Sequence, residues 1–271
     1  MKLLKKNPDW CITTDLRIEL KNGVVVHGDG YNKYTYSGLN KTTLSRYVQP
    51  VRNIAWKQDV LKINWKAVLN AKEKLTGIGF TQLIIDAPWK FVGSDPVRGP
   101  SLKYSQINDE DLLSIPLGEI VQSGFVFMWI IPSKETLAKR WLEEQNFEIC
   151  DRVTWIKLSA GNNMVTSLGL HFGKCREDIL VGKKGNWQNT VKKVYFGKDV
   201  LSDLRRDQSQ KPKLLHELVE QNVKHESGML ELFARNNNLR PNWTQIGLDL
   251  SEDFNRGFLA DSKRFIVEME N

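Results

Sequence analysis

Leu83-Ile84-Ile85-Asp86-Ala87-Pro88-Trp89 is the stretch on which the reading of this chain turns. A short apolar run that ends in an acid, a proline and an aromatic is the pattern of a buried parallel strand. Such a strand delivers a polar group and a flat ring to the carboxyl edge of a sheet, where open α/β folds bind ligands.

Outward from this strand, apolar strands alternate with helix-length segments. Upstream, Asn64 to Lys74 has helical spacing, with Trp65, Val68, Leu69 and Leu75 on one side. Downstream, Asn108-Asp109-Glu110-Asp111 is an acidic helix start suited to the macrodipole. Phe125 to Ile131 reads as a second buried strand, and Ser133 as the cap of a helix through Trp141 and Leu142. Val153 to Ile156, Asp178 to Val181 and Asp199 to Leu201 read as further strands, Lys213 to Val223 as a helix, and Met229 to Phe233 as the last clear strand. The alternation predicts an α/β fold: a doubly wound, mostly parallel mixed sheet with helices on both faces. Residues 1–52 read differently, with Val24-Val25-Val26, Gly28, Gly30, Tyr31, Tyr34 and Tyr36 suggesting short strands and turns. The expected organisation is a β-rich extension over 1–52, one α/β domain over 53–250 and a helix or tail over 251–271, tacked down by Phe254, Phe258 and Phe265.

The 271 residues are 41% hydrophobic, enough for one well-buried domain and an appendage. No apolar run approaches the ~18 residues of a membrane span. Met1-Lys2-Leu3-Leu4-Lys5-Lys6 lacks the apolar core of a secretion signal. Cys11, Cys150 and Cys175 are few and far apart, which argues for a reducing compartment and against a structural zinc site. The net charge of +7 suits a polyanionic partner, and Lys183-Lys184, Lys192-Lys193 and Arg205-Arg206 are candidate nucleic-acid contacts. Basic runs are also commonly solvated faces, and the charge alone shifts the balance modestly.

An acid, a backbone carbonyl and a ring at a strand end suit the exocyclic amine of adenine. That nitrogen is a poor nucleophile because its lone pair is delocalised. Acceptors for both hydrogens favour the pyramidal nitrogen of a methyl-transfer transition state. Asp86 would accept one hydrogen and a carbonyl of Ala87-Pro88 the other, while Trp89 would stack on a base flipped from a duplex. Nothing in this chemistry requires a metal. An ordinary turn after a strand would carry the same residues, and the tetrapeptide alone is a weak signal. Later segments add weight. Arg205 to Pro212 opens a helix with a lysine suited to a carboxylate, and Glu231 to Asn238 ends a strand in a small residue, a cation and amides suited to ribose hydroxyls.

Five segments carry a family resemblance: Asp86-Ala87-Pro88-Trp89, Gly124 to Trp129, Ser209-Gln210-Lys211-Pro212, Leu232 to Asn237, and Pro241-Asn242-Trp243. In this order they resemble the MT-A70 family, the eukaryotic N6-adenine methyltransferases of mRNA and DNA, from about Gln58 to Leu250. The wording of the third and fourth segments is similar to the ciliate-type DNA adenine branch. The resemblance implies a Rossmann-like methyltransferase fold in permuted order, with the catalytic motif before the cofactor loop and S-adenosylmethionine as cofactor. By the same resemblance, Asp59-Val60 would hold the cofactor adenine, Lys211 its methionine carboxylate, and Glu231, Arg235 and Asn238 its ribose side. Tyr104 would lie in the loop that gates the base pocket.

The chain departs from the family pattern around that cleft. Ala87 replaces a proline that would stiffen the acid's backbone. Lys174-Cys175-Arg176-Glu177 stands where active members often show His-x-Lys-Glu, and Leu248-Asp249 stands where they carry Asn then Glu or Gln. Family members also pair as a catalytic and a degenerate subunit. The expectation is therefore the non-catalytic partner of a nuclear, heterodimeric N6-adenine methyltransferase, DNA favoured over RNA. It would bind an active Asp-Pro-Pro-Trp homologue, further DNA-binding subunits and the nucleic acid. The alternatives are an active enzyme with a relaxed motif and a nucleic-acid-binding scaffold.

Overall fold

The computed structural model describes residues 16–19, 25–28, 34–36, 53–90, 106–167, 171–207, 210–251 and 256–270; before residue 53, at 227 and over 256–260 only the backbone is described. Strands β1 (Leu16–Glu19), β2 (Val25–Gly28) and β3 (Tyr34–Tyr36) form an antiparallel sheet in which Val26 stands opposite both Ile18 and Tyr36. Cys11, Tyr31 and Phe254 lie outside the described residues.

The second sheet has eight strands: β4 (Ile54–Trp56), β5 (Gln82–Ile85), β6 (Gly124–Ile130), β7 (Glu148–Leu158), β8 (Arg176–Lys184), β9 (Val200–Leu204), β10 (Met229–Leu232) and β11 (Trp243–Ile246). Their order is β4-β11-β10-β5-β6-β8-β7-β9, and only β8 runs antiparallel to its neighbours. This is the α/β mixed, mostly parallel sheet that the alternation predicts. After β5 the chain moves to β6 on one side, and after β10 to β11 on the other. The carboxyl ends of β5 and β10 therefore flank a topological switch point, where open α/β sheets form their ligand crevice.

The helices are α1 (Trp65–Thr76), α2 (Asp109–Leu113), α3 (Leu117–Ile120), α4 (Glu135–Glu144), α5 (Leu214–Asn222) and α6 (Arg256–Glu270). One core layer joins Leu83 and Ile85 to Val68 of α1, Trp141 and Leu142 of α4 and Phe265 of α6. The other joins Ile84, Phe127 and Trp155 to Leu215 and Val219 of α5. Both faces of β5 are covered, so Leu83 to Ile85 are continuously apolar rather than alternating.

Three element boundaries differ from the sequence reading. Strand β11 follows Met229–Leu232, which is thus not the last strand. Thr244 and Gln245 hid it, yet both are buried, because Gln245 spends its amide on Glu231 and on the Asn238 carbonyl. The three-residue β4 was too short to register. Ser133 does not cap α4: it lies in a 3-10 turn, Pro132–Lys134, and Lys134 precedes the helix without a side-chain cap. Among the tail phenylalanines, Phe265 is fully buried, edge-on to Trp56.

Lys72 of α1 is 1% exposed, with its ammonium 5.2 Å from the centre of the Phe80 ring. Burial pulls its pKa down from 10.5 to about 7. The unfolded chain binds this proton more tightly, so stability rises with pH between these values, by at most about 1.4 kcal/mol per unit. Denaturant titrations from pH 7 to 9 will show this slope in the parent and lose it in Lys72→Met.

Candidate active site

Lys211 stands at the centre of the switch-point rim. It follows β9 and precedes Pro212 and α5, and its ammonium lies 3.1 Å from Asp86 Oδ1 and 2.9 Å from Glu177 Oε2. Asp86 arrives from the end of β5, and Glu177 from the start of antiparallel β8. Glu177 also takes Lys157 of β7, at 2.6 Å. Both lysines lie over indoles, Lys211 5.1 Å from the Trp129 ring centre and Lys157 5.4 Å from that of Trp155. Two acids and two lysines thus alternate in a largely buried chain that runs Asp86, Lys211, Glu177, Lys157.

Burial pushes Asp86 up; Lys211 opposes this, Glu177 adds to it, and the Arg235 guanidinium pulls it back, leaving the acid above its ordinary range. Burial also pushes Glu177 up, but Lys211 and Lys157 together hold it down at about 2. Burial would lower Lys211, yet the two carboxylates more than reverse that. The net result is a locked lysine that remains charged.

The sequence reading missed Lys157. A signal was present: Val153, Trp155 and Lys157 occupy alternate inward positions of β7 and are all buried, so the lysine stands where a core residue belongs. In the sequence Glu177 stands out only within an altered segment, and Trp129 only within a strand and the family segment that covers it.

Asp86 reaches this rim, whereas Trp89 and the Ala87 and Pro88 carbonyls are placed differently from expectation. Trp89 is 5% exposed, its indole N–H donates to the Trp129 carbonyl at 2.9 Å, and its ring sits edge-on to Trp141. It is a core residue that braces β5 against β6, rather than an open stacking plane. The Ala87 carbonyl accepts the Trp89 N–H at 2.9 Å across Pro88, and the Pro88 carbonyl accepts that of Ile107 at 3.0 Å. Both carbonyls proposed for the adenine amine are therefore engaged in a tight turn and a bridge. Tyr104 lies outside the described residues.

On the β10 side, Phe233 takes a left-handed φ of 61° directly after the strand. That turn leads to Arg235, whose Nε lies 3.5 Å from Asp249 Oδ2. Asp249 follows β11, so one of the altered positions supplies a carboxylate to this cation. Asn238 is 8% exposed, and its side-chain oxygen is buried without a hydrogen-bond partner among the described residues. Glu231 does not reach the rim. It points beneath α5, where Gln245 Nε2 donates to it at 2.5 Å and His216 Nε2 lies 3.2 Å away. At the far end of the rim, Asp59 caps a 3-10 turn through the Leu61 N–H, and Val60 is buried in the core.

The basic candidates divide between opposite rims. Arg205 and Arg206 follow β9 on the site rim and are exposed, with Arg206 3.7 Å from Asp203. Lys183 and Lys184 lie at the other end of the sheet, opposite the start of β6. Lys183 pairs with Glu148 at 3.0 Å, and Lys184 donates to the carbonyls of Gly118 and Gln145. These two lysines are engaged within the fold, and among the described residues they do not share a rim with Arg205 and Arg206. Lys192 and Lys193 are exposed beside the end of α5, where the Lys192 N–H meets the Asn222 carbonyl.

A family model, MT-A70, matches residues 80–249, more than half of the chain. The chain belongs to the MT-A70 family. It is 26% identical to the human N(6)-adenosine-methyltransferase catalytic subunit METTL3 over 175 residues, 63% of this chain and 28% of that protein. It is 23% identical to an Arabidopsis thaliana N(6)-adenosine-methyltransferase MT-A70-like protein over 195 residues, 70% of this chain and 27% of that one. It is 25% identical to the Drosophila melanogaster non-catalytic subunit METTL14 over 155 residues, 53% of this chain and 39% of that one. The chain therefore matches only about a quarter to two-fifths of the length of these relatives.

MT-A70 methyltransferases use S-adenosylmethionine, and the rim fits that group only in part. The orphaned Asn238 oxygen suits a ribose hydroxyl. The cations do not suit a donor carboxylate, because Lys211 already holds Asp86 and Glu177 while Arg235 holds Asp249. A third carboxylate beside Lys211 would meet two of its own sign in a desolvated setting.

Proposed function

We propose that this chain is the non-catalytic partner subunit of a heterodimeric N6-adenine methyltransferase, with DNA as the favoured substrate and the nucleus as its place of action. It stabilises an active Asp-Pro-Pro-Trp homologue and contributes to nucleic-acid binding through the exposed Lys192 and Lys193. One observation carries this reading: the two cations assigned to the methyl donor, Lys211 and Arg235, are both paired with the chain's own acids. The engaged Ala87 carbonyl and the buried Trp89 support it, since neither presents an adenine amine to a methyl group. The likeness to a relative named as a non-catalytic subunit is consistent with it, while the relative named as catalytic leaves the other role open.

The second reading, an active enzyme with a relaxed motif, draws on Asp86, Lys211 and Arg235 still meeting at one switch point. Two measurements separate the readings. Calorimetry of the chain alone with S-adenosylmethionine is expected to show no binding. Methyl transfer to adenine-containing duplex is expected only from the pair, unchanged by Asp86→Ala in this chain. A micromolar dissociation constant, or a loss of a hundredfold or more on Asp86→Ala, returns the catalytic reading.

A further inference from the structure

The two edges of the large sheet are treated differently. At β4 the edge is closed: Asp261 of α6 accepts the Asn53 N–H at 2.8 Å, and Ser262 accepts that of Ala55 at 2.9 Å. At β9, no side chain of another described strand or helix does the same. The Asp199 carbonyl and the Arg205 N–H face inward to β7. Alternate residues of a parallel ladder turn both backbone groups the same way, so Val200, Ser202 and Leu204 turn theirs outward. The Leu204 N–H is capped by Asp203 at 2.7 Å; the outward groups of Val200 and Ser202 have no partner among the described residues. Val200 and Leu204 are apolar and 48% and 43% exposed. Open apolar edges of this kind are normally blunted or paired in native proteins.

The same edge continues into a cleft of about 230 Å³, where β7 runs past the head of β9. Phe125, Phe127 and Val153 line it, and Val194 and Tyr195 at its mouth are 69% and 75% exposed. At the other end of β9 stand Arg205 and Arg206, both exposed. Unpaired peptide groups ask for another backbone, and the apolar side chains and cleft for apolar partners; neither is what a phosphate backbone offers. The arginines ask for acids at one end.

We infer that β9 is the docking edge for an extended segment of the partner subunit, apolar at alternate positions and acidic where it passes Arg205 and Arg206, which adds a ninth strand to this sheet. The inference rests on the partner reading above and gives that partner a place.

The test uses the full chain, alone and co-purified with an Asp-Pro-Pro-Trp homologue. Hydrogen exchange at the Val200 and Ser202 amides is expected to slow at least tenfold in the complex. Ser202→Pro removes an outward donor that β7 does not use, and Val200→Lys charges the edge. Each is expected to weaken the complex tenfold or more with the lone chain's melting temperature unchanged. A complex of undiminished affinity whose β9 amides exchange as fast as before overturns the docking edge and leaves the partner reading standing. Protection of these amides by duplex DNA alone also overturns it. Failure to form any complex overturns the partner reading and this inference together.

Discussion

Lys211→Met is expected to destabilise the protein by about 3–5 kcal/mol near pH 7, the range for removing one member of a buried ion pair. The methionine fills the space but leaves Asp86 and Glu177 facing each other, with Lys157 as the nearest remaining counter-charge. The pH dependence identifies the cause. In the parent, Glu177 is held at about 2, below its ordinary 4.5, so its stabilisation is complete above 4.5 and is lost as pH falls from there toward 2. In the variant, Asp86 loses its main counter-ion and its pKa, already raised by burial, moves further up. The folded variant then binds a proton that the unfolded chain does not, so the deficit shrinks as pH falls from 7 toward 5. Urea titrations at several pH values read this directly. Lys211→Met combined with Asp86→Asn is expected to recover part of the loss. A deficit constant from pH 5 to 8, unrelieved by the second substitution, would mean that packing, not charge, holds the lysine.

Gly124→Ala is expected to cost at least about 4 kcal/mol or to abolish folding, at the extreme of single-residue effects. Gly124 opens β6 at a φ of 144°, and a Cβ there would fall 1.8 Å from the Thr81 carbonyl oxygen. That oxygen accepts the Phe125 N–H at 2.9 Å and sets the register of β6 against β5. Any shift that relieves the clash moves the strand that carries Trp129 beneath Lys211. Circular dichroism and soluble yield will report the effect. Gly79→Ala, where a Cβ meets nothing within 4 Å, is the control and is expected to change little.

Much of the fold was legible because burial on both faces leaves a local mark. Leu83 to Ile85 and Phe125 to Ile130 are unbroken apolar runs, and helix α1 before them buries Trp65, Val68 and Ala71 on one side. Strand β11 escaped because its buried polar residues are satisfied by groups far away in sequence, as Gln245 is by Glu231. Local pattern carries no trace of such partners. The site divides along the same line. The order of Asp86, Lys211 and Arg235 was readable as a motif, whereas the pairing of Lys211 with Glu177 and of Arg235 with Asp249 was not. Residue type alone placed Lys183 and Lys184 among nucleic-acid contacts, and only their carbonyl and carboxylate neighbours show them serving the fold.

The sequence by itself determined the α/β class, the family and the rim to which the motif residues travel, because strand periodicity and motif order are properties of neighbouring residues. The tertiary structure alone decided which charges meet on that rim. Desolvation and Coulomb attraction act between groups brought together from the ends of β5, β8, β10 and β11. By that decision the lysine assigned to a methyl donor became the clasp between two of the chain's own acids.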